Sequence, residues 1–238
     1  MLRVDFVTLF PEMVQGALSH SIMARAERAG AVQFGTANPR DFASDPHKSV
    51  DDTNYGGGPG MVMMAPLIGA ALDSLAPGED AAVVLCDPAG ERYTQKEAVS
   101  LSARSHIVFL CGHYEGVDER VRTRLATHTY SIGDFVLTGG ELPALAMADS
   151  VVRLLPGVLG DPESHMDDSH SGGLLGFPLY TRPDEFMGES VPEVLKSGDH
   201  AKIARWRRQQ QLLRTRRHRP DLLATAALTA ADVDLLND

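Results

Sequence analysis

Short apolar runs that alternate with helix-like segments constrain this sequence more than any other feature. Four runs are typical of β-strands: LRVDFVTLF at 2–10, AAVVLC at 81–86, HIVFLC at 106–111 and TYSI at 129–132. Pro11 suits the first turn of a helix, which we expect to reach about Arg28, and TQKEAVSLSARS at 94–105 has a helical pattern. Strands that alternate with helices predict an α/β fold with a mostly parallel sheet.

A polar or glycine-bearing turn follows three of these strands. The turns are DPAG at 87–90, CGHYEG at 111–116 and SIGDFVLTGGEL at 131–142. Ligands of open parallel sheets bind outside the carboxyl ends of the strands, so the three turns converge on one crevice if the strands are neighbours. A long apolar helix should follow, from Glu141 to Leu155.

The glycines at 133, 139 and 140 admit more than one interpretation. A plain strand, turn and helix start would explain them, as isolated glycines in apolar runs usually mark turns. A phosphate loop would need a following Lys-Ser/Thr pair, and a dinucleotide site would need GxGxxG, and neither pattern is present. The third possibility is a pocket that binds a flat polar ring, such as adenine, through main-chain groups that glycine lets approach closely.

The carboxyl-terminal third of the chain differs in composition. DPESHMDDSHSGG, at 161–173, is polar and typical of a linker or lid, and short helical segments follow it. We therefore expect an α/β domain at 1–159, a flexible linker at 160–175 and a small helical domain at 176–238. A second glycine cluster, YGGGPGMVM at 55–63, lacks the lysine of a phosphate loop and is interpreted as a mobile loop.

Charge distribution bears on the choice of partner. The net charge of −10 counts against nucleic acid, because neutralising phosphates needs Lys and Arg. Between His200 and Pro220, however, eight cationic residues occur without a single acid: Lys202, Arg205, Arg207, Arg208, Arg214, Arg216, Arg217 and Arg219. This segment is either a solvated basic helix or a phosphate-binding surface.

Cysteine content and hydropathy favour a cytoplasmic protein. Cys86 and Cys111 each end an apolar strand, where a free cysteine behaves as a small buried hydrophobe. Two isolated cysteines indicate neither a disulfide framework nor a metal site. No apolar run reaches the length of about 18 residues that a membrane helix needs, and no signal-like segment opens the sequence.

Eight blocks of sequence, in order, resemble the bacterial tRNA (guanine-N1)-methyltransferases of the TrmD type. They are TLFPEM at 8–13, VDDTNYGGGPGMVM at 50–63, CGHYEGVDERV at 111–121, SIGDFVLTGGELPA at 131–144, PGVLG at 156–160, DDSHSGGLL at 167–175, YTRP at 180–183 and WRRQQ at 206–210. The resemblance implies a SPOUT-type α/β domain with a deep trefoil knot, followed by a linker and a small helical domain. It also implies a homodimer that methylates the guanine immediately 3′ of the anticodon in tRNA.

Site residues follow from the same resemblance. S-adenosylmethionine would bind residues after three strands: Pro88, Gly112, Glu115, Ile132, Gly133, Asp134, Phe135, Val136, Leu137, Gly139 and Gly140. Glu115 would hold the methionine end of the cofactor or help to site a divalent ion such as Mg²⁺, unless it is a first-turn acid that complements a helix dipole. Contacts to tRNA phosphates would come from Lys202, Arg205, Arg207, Arg208 and Arg214.

Methylation of guanine N1 needs a group that removes its proton and a cation that stabilises charge moving to O6. By resemblance these are Asp168 and Arg153. Considered alone, Asp168 would be a solvated linker acid and Arg153 an exposed helix residue. Asp167 is a rival base, and only the alignment of the Ser that follows favours Asp168.

Four positions depart from the family pattern, and three other functions stay open. Asn54 is more often proline in the family, His170 an aromatic residue, Gly176 an acid and Leu179 a histidine, which bears on the linker and the target-base pocket. The alternatives are a nucleotide-binding α/β enzyme that uses the same three loops, and a non-catalytic module that binds RNA through the basic segment. Action on another RNA is a further possibility.

Overall fold

The computed structural model describes residues 1–160 and 168–237. The chain divides into two compact units, Met1–Gly160 and Asp161–Asp238.

A five-stranded parallel sheet forms the centre of the first unit. The strands of this unit are β1 (Leu2–Val7), β2 (Val32–Ala37), β3 (Asp51–Thr53), β4 (Met61–Met63), β5 (Ala82–Arg92), β6 (His106–Cys111) and β7 (His128–Ser131). The sheet has the order β2-β1-β6-β5-β7, and all its neighbours run parallel. This confirms the predicted α/β fold with a mostly parallel sheet.

Helices cover the sheet. They are α1 (Pro11–Leu18), α2 (Ser21–Arg28), α3 (Ala65–Ser74), α4 (Gln95–Ser102), α5 (Glu119–Arg124) and α6 (Glu141–Val152), with a 3₁₀ helix at Pro39–Phe42. One core contains Val4, Phe6 and Met147, and the other contains Val7, Ile68 and Val121. Residues of β1 alternate between the two cores, as expected for side chains that point to opposite faces of a strand.

The single helix predicted from Pro11 to Arg28 is wrong, because the chain breaks it after Leu18 and restarts at Ser21. A straight helix of that length would span about 27 Å. A six-residue strand such as β1 spans only about 20 Å, so the helix would overhang the sheet. The break lets each short helix bury its own apolar side chains, Val14 and Leu18 in α1 and Met23 and Ala26 in α2.

Helix α6 ends three residues earlier than predicted. After Val152 the chain tightens, since Leu154 N–H donates to Val151 O and Leu155 N–H to Val152 O. Pro156 follows, and the residue before a proline disfavours helical backbone. The last predicted turn of the helix is therefore a pair of tighter turns.

The turn predicted at 87–90 interrupts a longer strand. In the register of β5 and β7, Tyr130 pairs with both Cys86 and Glu91, and the residues between them bulge out. Gly90 permits this, because a Cβ atom at Gly90 would lie 2.7 Å from backbone atoms of Thr129 and Tyr130. Cys86 and Cys111 are free and buried, as predicted.

The second unit contains a short hairpin and four helices among its described residues. The hairpin pairs β8 (Glu185–Phe186) with β9 (Glu189–Ser190). The helices are α7 (Glu193–Lys196), α8 (His200–His218), α9 (Pro220–Thr225) and α10 (Ala230–Asn237). A small core joins Leu174, Leu212 and Leu235, so α8 packs against α10 and the segment that follows residue 168.

Candidate cofactor pocket and basic helix

A pocket of about 190 Å³ opens at the bulge of β5, after Cys86, and at the ends of β6 and β7. These three strands are neighbours in the sheet, so the bulge and the two following turns meet at one edge. The structure thus brings together the three segments that the sequence analysis expected to converge.

Most of the residues predicted to bind the cofactor line this pocket. They are Pro88, Gly112, Glu115, Ile132, Gly133, Phe135, Val136, Leu137, Gly139 and Gly140. Asp134 is exposed and is not part of the lining. Its contact with a cofactor stays a prediction.

Two glycines in the last loop have crowded surroundings, Gly140 against backbone and Gly139 against side chains. A Cβ atom on Gly140 would lie 2.7 Å from Cys111 Cα and 2.9 Å from Gly112 N, and neither backbone atom can rotate away. Gly140 N–H also donates to Gly112 O at 2.8 Å. A Cβ atom on Gly139 would lie 2.8 Å from Nδ1 of His113. The loop after β7 therefore lies directly against the loop after β6.

His113 is a lining residue that the sequence analysis did not select. Its Nδ1 is buried and has no hydrogen-bond partner among the residues that the structure describes. A buried polar atom without a partner is costly, so this atom marks a place where a ligand group would complete the site. Only its position between Gly112 and Glu115 could have indicated it from sequence.

A buried carboxylate lies behind the same loop. Glu141 is 3% exposed, and its Oε1 accepts a hydrogen bond of 2.8 Å from the hydroxyl of Thr8. The Thr8 hydroxyl also accepts from Phe10 N–H at 2.9 Å. This pair fixes the start of α6 against the end of β1, beside the pocket.

The second glycine cluster is anchored next to the pocket. Glu115 N–H donates to Met61 O, and Met63 N–H donates to Gly116 O, both at 3.0 Å. A Cβ atom on Gly60 would lie 2.5 Å from Oε1 of Glu115. The cluster at 55–63, interpreted from sequence as a mobile loop, thus ends in main-chain contact with a pocket segment.

Ion pairs hold the rim of the pocket. Arg122 bridges to Asp87 at 3.0 Å, which ties α5 to the bulge of β5. Hydrogen bonds from the Arg120 side chain lower the pKa of Asp118 to about 2. Asp118 is therefore ionised at neutral pH, and each of the two carboxylates is paired with an arginine.

Comparison with known proteins identifies the family of this chain. The family model described as "tRNA (Guanine-1)-methyltransferase TrmD" matches residues 2–225. The chain belongs to that family. It is 54% identical to a tRNA (guanine-N(1)-)-methyltransferase of Staphylococcus aureus strain MRSA252 over 235 residues, which cover 99% of this chain and 96% of the relative. The corresponding protein of strain Newman is 53% identical over the same share of both chains. The resemblance found in the sequence is confirmed.

The two residues predicted to be catalytic in this TrmD family member lie in different units. Arg153 is partly buried and is the capping residue that follows α6. The 12 residues of α6 separate it from Gly140 in the pocket wall, a distance of about 18 Å along the helix. Asp168 is partly buried in the second unit, and its backbone oxygen accepts from Ser171 N–H at 3.2 Å. The rival base Asp167, like the linker residues 161–166, lies outside the described residues.

The basic segment forms α8, and its cations have different surroundings. Arg208 donates to both oxygens of Asp232, at 2.7 and 2.9 Å, and Asp232 is 4% exposed. Lys202 pairs with Asp199 at 3.2 Å. Arg207 is exposed and stacks over the ring of Phe177 at 4.7 Å. Arg208 therefore has a structural partner, whereas Arg207 presents its charge to solvent.

The described residues contain no group of three or more His, Cys, Asp or Glu side chains arranged to hold a metal ion. A role for Mg²⁺ stays a prediction. Within the same residues, no helix is both long and apolar enough to cross a membrane.

Proposed function

We propose that the protein transfers a methyl group from S-adenosylmethionine to N1 of the guanine immediately 3′ of the anticodon in tRNA. The observation that carries this proposal is the family match over residues 2–225. It is supported by relatives that are named tRNA (guanine-N(1)-)-methyltransferase and that match over 99% of this chain.

The pocket fits S-adenosylmethionine. Glycines form much of its lining, so main-chain N–H and C=O groups are available to an adenine edge. Glu115 supplies a carboxylate for the positively charged methionine end of the cofactor, and Nδ1 of His113 is a buried polar atom that a ligand would satisfy. When bound, the cofactor supplies an electrophilic methyl group.

The protein must remove the N1 proton and stabilise the guanine anion. Asp168 accepts the proton as general base, a role that requires it to lie within about 2.6–3.2 Å of N1 in the complex. Arg153 donates to O6, where negative charge accumulates, and its planar, permanently charged group keeps the ring oriented. Lysine would be a poorer substitute at this position.

A homodimer accounts for the position of Arg153. The pocket lies at the start of α6 and Arg153 at its end, about 18 Å away, which is farther than an arginine side chain reaches. In a symmetric dimer, Arg153 of one protomer serves the pocket of its partner. Exposed apolar side chains near the start of α6, Phe10, Met13 and Leu142, provide a surface for this contact.

Mixed dimers test this arrangement. Protomers with Arg153→Ala are co-expressed with protomers that carry Glu115→Arg in the pocket, and dimers that contain one of each are isolated by two affinity tags. If Arg153 acts in the pocket of the partner protomer, each mixed dimer has one intact site and about half the wild-type activity, although both parental homodimers are inactive. Activity no higher than that of the parents would overturn it.

The trefoil knot is a further part of the proposal. The main-chain bond from Gly140 N–H to Gly112 O, and the bridge between Gly139 and His113, support a crossing of the loops after β6 and β7. We assign a knotted α/β methyltransferase domain to residues 1–159, a linker or lid that carries Asp168 to 160–175, and tRNA binding to a helical domain at 176–238. The enzyme is proposed to act in the cytoplasm.

Transfer of labelled methyl from S-adenosylmethionine tests the reaction. A tRNA with guanine after the anticodon is compared with the same tRNA carrying adenine there. We expect transfer only to the first, and loss of transfer in Asp168→Asn, while Asp234→Asn, a change at an exposed acid of α10, has no effect. Absence of transfer by the wild-type protein would refute the assignment.

A further inference from the structure

The residues around Asp168 are tied to the basic helix α8 by a continuous set of contacts. Leu174 is 4% exposed and packs with Leu212. Leu175 N–H donates to the Thr215 hydroxyl at 2.9 Å, and Arg214 donates to Gly176 O at 3.1 Å. We call residues 174–180 the strap. It runs antiparallel to α8, because Phe177 then meets Arg207 and Tyr180 meets Trp206.

Asp168 begins a turn that closes onto the strap. Ser171 N–H donates to Asp168 O at 3.2 Å, and His170 N–H donates to Leu174 O at 2.8 Å. Gly176 N–H donates to the Ser169 hydroxyl at 2.9 Å. The backbone of residue 168 is therefore fixed relative to Leu174 and Gly176, which are in turn fixed to α8.

Thr215 is the buried link in this set. Its side chain is fully buried, and its hydroxyl donates to Gln211 O at 2.7 Å while it accepts from Leu175 N–H. A hydroxyl can do both at once, whereas valine, of almost the same shape, can do neither. Because Thr215 is buried on α8, it cannot itself contact RNA.

The cations that contact the strap are exposed. Arg207 and Arg214 lie seven residues apart on α8, hence on the same face, and both reach strap residues while remaining exposed. Phosphates bound on this face would be held by the same helix that positions the turn of residue 168.

We propose that Thr215 is a positioning residue for the general base, through which the tRNA-binding helix α8 sets the location of Asp168. This inference rests on the proposed function, in which Asp168 is the base. Misplacement of a catalytic group by about 1 Å can lower a rate on the order of 100-fold, so a loosened strap affects the chemical step rather than binding.

The test measures single-turnover methyl transfer at saturating tRNA and cofactor, together with the Kd for tRNA. For Thr215→Val we expect a rate lower by about tenfold to 100-fold with the Kd unchanged. Thr215→Ser, which keeps the hydroxyl, should restore most of the rate. Thr225→Val, a matched change at an exposed threonine of α9, should retain the wild-type rate.

Other outcomes overturn the inference. A wild-type rate for Thr215→Val, or a loss confined to the Kd with the rate unchanged, would show that Thr215 does not position the base. If Thr215→Val does not fold, Ser169→Ala decides the matter, because Ser169 is exposed and its hydroxyl joins the same turn to the strap. A wild-type rate for Ser169→Ala would then refute the proposal.

The Asp168→Asn variant separates this inference from the proposed function. If it retains full methyl transfer, Asp168 is not the base and the proposed mechanism fails. If it abolishes transfer while Thr215→Val has no effect, the mechanism stands and only the positioning role fails.

Discussion

Replacing Gly140 with alanine tests the close contact between the two pocket loops. The added Cβ would lie 2.7 Å from Cys111 Cα, against at least 3.4 Å for an ordinary contact, so one loop must move by about 0.7 Å. Cys111 ends β6, which is hydrogen-bonded to β1 and to β5 and cannot shift without straining both ladders. The backbone of Gly140 itself is ordinary, with φ −82 and ψ −6, so any effect comes from the lack of space.

The magnitude follows from two contributions. Overpacking of a tight site costs about 1–3 kcal/mol. Weakening the hydrogen bond from Gly140 N–H to Gly112 O adds about 1 kcal/mol. We therefore expect Gly140→Ala to lower the free energy of unfolding by about 2–4 kcal/mol. Since the displaced segments form the pocket wall, the affinity for S-adenosylmethionine should fall as well.

Urea denaturation followed by circular dichroism measures the first effect, and titration calorimetry with S-adenosylmethionine measures the second. Gly16→Ala is the matched control, because Gly16 lies within α1 and nothing lies within 4 Å of its added Cβ. That change should stabilise the protein by about 0.5–1 kcal/mol, the opposite sign. A Gly140→Ala protein with wild-type stability and cofactor affinity would refute the steric reasoning.

Three further predictions concern other parts of the molecule. Asp232→Ala should cost about 2 kcal/mol in thermal denaturation, because it removes the partner of Arg208 and half of the capping box at α10. Hydrogen bonds from Arg208 lower the pKa of Asp232. The ionised carboxylate therefore contributes its full share of the free energy of unfolding above the unfolded pKa of about 3.9, and this share should be lost progressively as the pH falls below that value. A free energy of unfolding that stays constant down to pH 2 would contradict this. Arg207→Ala should weaken tRNA binding and reduce the slope of log K against log salt by about 0.7–0.9, whereas Arg208→Ala should mainly lower stability. Filter binding measures the slopes, and equal slopes for Arg207→Ala and the wild type would contradict the prediction.

The strands of the sheet could be predicted from sequence where consecutive residues are all buried. The strands β5 and β6 contain the apolar runs AVVLC and HIVFLC because both faces of a parallel sheet are covered. In β2 only Val32 and Ala37 are buried, so its pattern gives no such signal and the strand was missed. The bulge between Cys86 and Glu91 depends on pairing with Tyr130, which a local pattern does not contain.

Prediction of the site depended on the family resemblance as much as on pattern. The strand pattern indicated the convergence of three loops, and the resemblance supplied the individual residues. The burial of His113 Nδ1 without a partner among the described residues, and the approach of Gly60 to Glu115, depend on contacts between segments, which a local sequence pattern does not contain. The charge run on α8 likewise did not indicate that Arg208 is matched by Asp232, 24 residues later.

Five of the residues that line the pocket are glycines: Gly112, Gly116, Gly133, Gly139 and Gly140. An inhibitor that binds there through peptide groups would meet partners that only a substitution to proline could remove, because every other amino acid retains both N–H and C=O. At Gly140 even alanine lacks room. Resistance to such a compound would have to arise from changes in the surrounding side chains. Such changes would also alter the shape of the pocket that the natural ligand needs.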